Sequence, residues 1–335
     1  MKLVIFGLSI SSSWGNGHAT LWRGLAGALA KLGHRVVFFE RDVPYYAAHR
    51  DYDRIPAGEL VIYPEWKSAA AAARRHLQDA DAGMVTSYCP DAIAATAALL
   101  DSRARLKAFY DLDTPVTLAN LEAGRAVDYI GPRGLADFDL VLSYTGGAAL
   151  AELKARLGAR RVVPLYGSVD PEVHRPVPPK PEYASDLSYL GTYSEDRQRA
   201  LEMLFVEPAR RLAGRRFALG GSQYPDSFPW TPNIFLFPHV PPGEHGAFYC
   251  SSKLTLSVTR GPMAEMGYCP SGRLFEASAC GVPIVSDDWE GLDQFFEPAI
   301  EILIARTTGH VMDALAMSDE QRGRIAGAAR ERALS

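Results

Sequence analysis

Pro270-Ser271-Gly272-Arg273-Leu274-Phe275-Glu276-Ala277-Ser278-Ala279-Cys280-Gly281-Val282-Pro283-Ile284-Val285-Ser286 reads as a short helix with clear start and stop signals, followed at once by a buried strand. Ser271 is suited to cap the helix, Gly272 leaves room for a ligand to reach the first backbone N–H groups, and Gly281 suits the left-handed position that closes it. Free amides and the positive end of the helix dipole attract phosphate. Glu276 follows Gly272 and Arg273 by four and three residues, so it shares their face of the helix. A carboxylate beside phosphate-binding amides suits two vicinal hydroxyls, and the stretch points to a nucleotide site.

Outward from this motif, short apolar runs alternate with helical patterns. Leu3–Leu8, Arg35–Phe39, Gly83–Ser87, Leu106–Tyr110, Leu140–Ser143 and Arg161–Leu165 form one series. Asp186–Leu190, Phe217–Leu219, Ile234–Phe237, Leu254–Val258, Val282–Val285 and Ile300–Leu303 form a second. Such alternation predicts parallel sheets covered by helices on both faces. The first helix, from about Gly17 to Leu32, sets Leu21, Leu25, Ala28, Leu29 and Leu32 on one stripe and stops at Gly33, opening a Rossmann-like domain. Between the series, residues 166–181 carry five prolines without strand or helix period, which predicts a linker.

The 335 residues suit two domains, and 47% hydrophobic with 22% charged residues is the balance of a globular chain. A formal net charge of −4 argues against a nucleic-acid partner. Cys89, Cys250, Cys269 and Cys280 are widely spaced, with no CxxC pair to suggest zinc or a disulfide framework, so a reducing, cytoplasmic setting is expected. The opening residues carry one charge and run into a Gly-rich loop rather than a cleavage site, and no apolar run reaches the roughly 20 residues of a membrane helix. Membrane association is therefore expected to be peripheral at most.

The run Ser271–Ala277 with Ala279–Pro283 resembles the donor-nucleotide motif of GT-B glycosyltransferases, in particular the retaining family-four enzymes and the CgeB-like (spore-maturation-type) branch. Gly167-x-Val169-Asp170-x-x-x-His174-x-Pro176 resembles the Gly-Val-Asp…Phe-x-Pro crossover between the two domains of that family. The resemblance implies an α/β GT-B fold: two Rossmann-like parallel-sheet domains facing a central cleft. The expected divisions are an acceptor-side domain at 1–166, a Pro-rich linker at 167–182, a nucleotide-sugar domain at 183–318 and a C-terminal helix or tail at 319–335, the last partly mobile. Activity is then transfer of a sugar from a UDP-, GDP- or dTDP-type donor to a hydroxyl of a carbohydrate, lipid-linked or small-molecule acceptor, with no metal or other cofactor required. Family-four enzymes usually carry a further glutamate eight positions before the one at Glu276; this chain has Tyr268 there, with Glu265 as the nearest acid.

The resemblance assigns Glu276 to the donor ribose, and Ser271, Gly272 and Arg273 to the diphosphate. The loop after the first strand of the second series, with Thr192, Tyr193 and Arg197, matches the family loop whose amides and basic residue meet the same diphosphate. His239 and Val240 fall where the family holds the nucleobase through backbone groups. In the first domain, Trp14, Gly15, Asn16, Gly17 and His18 lie on the loop that faces sugar and acceptor in the family, with His18 placed to donate to a hydroxyl or to act as a base. Asp111 and Asp113 end another strand of that sheet, suiting either proton abstraction or a divalent ion, while Thr114-Pro115 equally makes Asp113 a helix N-cap.

Three other readings stand beside this one. Gly15-x-Gly17 with Glu40 at the end of the second strand is spaced like the start of a dinucleotide fold, although Thr20 replaces the third glycine, giving an NAD(P)-dependent oxidoreductase. A sugar-nucleotide epimerase would use the same fold without an acceptor. A coat or scaffold protein would keep the fold without turnover.

Overall fold

Alternate residues of the first strands are apolar on both sides. Val4 and Phe6 enter one core with Val37, Phe39 and Val85, while Ile5 enters another with Phe38, Val36 and Tyr110. A sheet buried on both faces needs helices on both faces, which parallel strands supply through their crossovers. The computed structural model describes residues 1–335 and divides into two units, Met1–Tyr166 and Gly167–Ser335.

The first unit holds β1 (Lys2–Gly7), β2 (Arg35–Arg41), β3 (Glu59–Tyr63), β4 (Ala82–Thr86), β5 (Leu106–Asp111), β6 (Leu140–Ser143) and β7 (Val162–Pro164) in the order β3-β2-β1-β4-β5-β6-β7. Every pairing is parallel. The second holds β8 (Ser185–Leu190), β9 (Phe217–Gly220), β10 (Ile234–Phe237), β11 (Ser252–Ser257), β12 (Ile284–Ser286) and β13 (Leu303–Ile304) in the order β10-β9-β8-β11-β12-β13, again all parallel. Strand order reverses between β1 and β4 in one unit and between β8 and β11 in the other, and open α/β sheets bind ligands at the carboxyl ends of strands beside such switch points.

Three local features differ from the sequence expectation. β3 is an additional edge strand, registered on β2 from Val37 with Glu59 to Arg41 with Tyr63. The first helix, His18–Lys31, buries Ala19, Trp22 and Ala26 rather than the leucine stripe; Leu21, Leu25 and Leu29 only flank the core, and Leu32 is 71% exposed. Trp22 is a core residue, edge-on to Phe38 and Tyr110 at 5.7 and 5.9 Å. The proline-rich segment has no strand or helix as far as Lys180, yet it is laid against the second unit: Val177 N–H meets Cys250 Sγ at 3.5 Å, and Lys180 N–H donates to Ser251 Oγ at 2.7 Å.

The terminal segment is a helix, Asp319–Leu334, whose start is closed by a capping box between Ser318 and Gln321. It packs on the Gly272–Ala279 helix, and Arg330 Nε donates to Ala279 O at 3.1 Å, so a cation supports the carboxyl end of that helix. No helix of the chain is long and apolar enough to cross a membrane.

Candidate functional site

The Gly272–Ala279 helix forms as its sequence suggests. Ser271 takes the N-cap position, its Oγ accepting from Arg273 N–H at 3.4 Å, and Gly281 adopts φ +73° just beyond the last turn. The helix bridges β11 to β12, which sets its amino end at the carboxyl edge of the sheet. Arg273 does not project outward as a free phosphate clamp. Its guanidinium is buried, with Nε donating to Leu190 O, Nη1 meeting Ser257 Oγ at 3.3 Å, and the group stacked over the Tyr189 ring at 4.8 Å. The side chain therefore fastens the helix start to the ends of β8 and β11.

That fastening brings the motif to the Gly191–Tyr193 loop. A Cβ on Gly191 would come within 2.8 Å of Arg273 Nη2, and one on Gly221, at φ +145°, within 2.1 Å of Gly191 O. Two glycines thus permit a close backbone crossing at the switch point. Tyr193 N–H donates to Ser222 O at 2.9 Å, and Tyr224 Oη–H donates to Gly191 O at 2.9 Å. Arg197 Nη1 donates to Thr192 O at 3.0 Å, while its buried Nε has no hydrogen-bond partner. Thr192, Tyr193, Arg197, Ser271, Gly272 and Arg273 are therefore gathered at one edge of one sheet.

Glu276 lies one turn into the helix and is surrounded. Tyr249 Oη–H donates to Oε2 at 3.2 Å, His245 Nδ1 stands 3.9 Å from the same oxygen, and His174 Nε2 stands 3.8 Å from Oε1. Burial alone would raise this carboxyl; His174, His245, Arg273 and the Tyr249 hydrogen bond outweigh it and hold the group below its ordinary range. His245 Nε2–H donates to Val240 O at 3.1 Å, which draws the loop of His239 and Val240 to the same place. Burial lowers the pKa of His245, against the opposing pull of Glu276.

Neither histidine was marked as a site residue by the sequence. His174 belongs to the crossover motif, in the place of an aromatic residue, and His245 sits inside the Pro242–Cys250 helix without any spacing signal. Tyr268, at the position of the missing glutamate, takes φ +49° and packs its ring over Gly291; Glu265 is exposed.

In the first unit, the loop after β1 and the residues after β4 and β5 meet at the other switch point. Glu40 is fully buried and accepts from Ser9 Oγ (3.0 Å), Ile10 N–H (2.8 Å), Ser11 N–H (3.0 Å) and Ser11 Oγ. It clamps the loop from within, so it is not presented to a dinucleotide ribose, and this removes the footing of the oxidoreductase reading. Asn16 is also turned inward, its Nδ2 donating to Ser9 O and Ser12 O and its Oδ1 accepting from His18 N–H at 3.2 Å. The Trp14 ring stacks on His49 at 4.2 Å, and Gly15 takes φ +59°.

His18 is the first residue of its helix, and its ring is turned to Asp113, with Nε2 3.9 Å from Oδ1. Asp113 occupies the N-cap position of the Thr114–Glu122 helix without a side-chain capping bond. Tyr88 lies beside both. Its ring is near-parallel to that of His18 at 6.4 Å, its backbone takes φ +63°, and burial with the Asp113 charge raises its pKa. Asp111 stands behind this group, fully buried, with Oδ1 accepting from Thr117 Oγ1 and Asp113 N–H and Oδ2 without a partner. Burial pushes its carboxyl up to about 6, with Asp113 adding to the rise.

Two parallel-sheet units in series, each with its chemistry-bearing residues at the carboxyl edge beside a switch point, define the GT-B architecture of glycosyltransferases. Comparison with known proteins agrees. Residues 197–335, most of the second unit, match the family model described as "Glycosyl transferase-like". Among solved structures, sucrose-phosphate synthase from Thermosynechococcus elongatus is similar over 100% of this chain and 94% of its own, at 12% identity and TM-score 0.71. The Anabaena HepE protein in complex with UDP-glucose is similar over 99% and 94%, at 12% identity and TM-score 0.66. An α-glucosyltransferase in complex with UDP-glucose and DNA containing an abasic site is similar over 99% and 95%, at 13% identity and TM-score 0.71. No curated protein sequence matches the chain.

Proposed function

We propose that the second unit binds a nucleoside-diphosphate sugar, with UDP-glucose as the leading donor, and that the first unit presents the acceptor. The observation that carries this reading is Glu276, a buried acid held ionised one turn from a capped helix start, beside the glycine crossing of Gly191 and Gly221. The carboxylate accepts from the two ribose hydroxyls, the amides at Ser271–Arg273 and Thr192–Tyr193 face the diphosphate, and the His239–Val240 backbone meets the base. Positive charge for the leaving diphosphate comes from the helix dipole and from Arg197. The bound UDP-glucose in two of the similar proteins supports the choice of donor.

On the acceptor side, His18 is the group placed to take a proton from a hydroxyl, with Asp113 orienting it and Asp111 behind. Trp14 and Gly15 contribute the outer part of that loop, while Asn16 and Gly17 hold its shape. The motif likeness supports placement in the CgeB-like branch, and the chemistry asks for no metal, since dipole and arginine supply the field.

The experiment is calorimetry with UDP, GDP, dTDP, CMP, NAD and NADP on the wild type and on Glu276→Ala. Selective binding of one nucleoside diphosphate that depends on Glu276 supports the donor site and names its base. Nicotinamide binding alone, or no binding at all, overturns it.

A further inference from the structure

Around Glu276 the second unit assembles more than a ribose contact requires. His174 and His245 approach the carboxylate from two other elements, and one ligand atom from each of the three residues lies within 4.8 Å of the others. His174 is only 4% exposed, and neither of its ring nitrogens has a hydrogen-bond partner. Burying imidazole nitrogens unpaired costs free energy unless something else occupies them. His245 poses the same problem from the other side: its Nε2–H is committed to Val240 O, and its buried Nδ1, 3.9 Å from a Glu276 carboxylate oxygen, has no hydrogen-bond partner. A cation between the imidazole nitrogens and the carboxylate would occupy all of these atoms at once.

We propose that His174, His245 and Glu276 bind one divalent transition-metal ion of the zinc or cobalt type. Two imidazoles and one carboxylate form a borderline donor set that suits these ions rather than magnesium or calcium, which favour all-oxygen shells. The surroundings are those of a metal site. A ligating histidine usually donates its second nitrogen to a carbonyl, as His245 does to Val240, and a ligating carboxylate usually accepts a further hydrogen bond, as Glu276 does from Tyr249.

Metal–ligand bonds of about 2.0–2.2 Å draw the three atoms somewhat closer than they stand, and the His174 ring has no hydrogen bond to break in making that move. Three protein ligands leave a fourth tetrahedral position for water. On the donor reading, the same carboxylate serves the ribose, so metal and nucleotide exclude each other at Glu276.

The test is titration of the full, chelator-treated protein with Co²⁺ in buffer without nucleotide, followed by displacement with Zn²⁺. The expected result is one equivalent of Co²⁺ with a visible absorption band that Zn²⁺ abolishes. His174→Phe and Glu276→Gln should each weaken binding by more than about 100-fold, and Tyr249→Phe by about 10-fold. As a check that needs no variant, ¹⁵N-histidine spectra of the wild type should show His174 and His245 ring nitrogens shifting together on Zn²⁺ addition. Absence of a stoichiometric Co²⁺ band, unchanged affinity in a folded His174→Phe protein, or unmoved histidine resonances overturns the proposal. Because no nucleotide is present, that failure leaves the donor assignment standing, and a failed nucleotide titration leaves the metal site standing.

Discussion

The Nε2 of His18 stands 3.9 Å from Oδ1 of Asp113, although the two residues come from different βα loops of the first sheet. The separation is slightly longer than a hydrogen bond, as acid–base pairs often are before substrate arrives. His18→Ala is expected to lower turnover by about 10²–10⁴-fold while leaving donor affinity unchanged. Asp113→Asn should lower it less, in the same direction. Steady-state rates with calorimetric donor affinities check this, and an unaltered rate for His18→Ala would remove the residue from the chemistry.

Glu276→Ala is expected to weaken nucleoside-diphosphate binding by about 1–3 kcal/mol, from the loss of charged hydrogen bonds. That corresponds to roughly 5- to 150-fold in the dissociation constant. The carboxyl is held low in the folded protein, so its share of stability is fully present above the ordinary glutamate pKa and is lost as pH falls from there through the lowered folded value. Superimposable titrations of variant and wild type would contradict the ribose role.

Asp111 behaves in the opposite sense. Its folded carboxyl is raised from 3.8 to about 6 by burial, so the ionised form is penalised in the native state. The penalty is absent below pH 3.8, builds between 3.8 and about 6, and is constant above. Asp111→Asn keeps an oxygen for Thr117 and supplies an N–H at the unpartnered position, and it should raise stability at pH 7.5 by about 1–3 kcal/mol. Thermal melts at pH 7.5 and pH 4.5 check the sign: the gain must shrink at the lower pH.

Glu40→Ala leaves four donors of the first loop without their acceptor, and a loss of about 2–3 kcal/mol is expected. Chemical denaturation measures it. Binding of NAD by the wild type that disappeared in this variant would contradict the clamp role.

Gly221→Ala forces a side chain into a φ of +145° and against Gly191 O. The backbone crossing must open, so both stability and nucleotide affinity should fall, while the equally substituted Gly243, which has open space around it, should tolerate alanine. Equal melting temperatures for the two variants would show that the crossing yields easily.

The doubly wound sheets were legible because most strands carry a short apolar stretch between helical periods, and the cap of the Gly272–Ala279 helix because Ser271 and Gly281 announce its ends. β3 escaped because Glu59-Leu60-Val61-Ile62-Tyr63 is an edge strand, half exposed, with no long helical pattern directly before it. The leucine stripe of the first helix misled because Ala19, Trp22 and Ala26 fit more closely against the sheet than branched leucines do. Arg273 reads as a phosphate ligand from its place in the motif, and only the fold shows that Leu190 and Ser257 already hold it. His245 carries no local signal, and His174 is marked only as part of the crossover motif, not as a ligand. Their meaning arises from a long-range approach to Glu276 that spacing along the chain does not encode.

That long-range approach also bears on how the protein matures. His174 and Glu276 are separated by most of the second unit, so their encounter closes a long loop whose entropy cost is met only when the intervening sheet is in place. Partly folded forms of this unit have no complete binding cluster, and any ligand of the cluster selects the finished chain by mass action. A rise in melting temperature on ligand addition would then report completed folding of the second unit, and would serve as a quality measure for preparations of this protein before any acceptor is known.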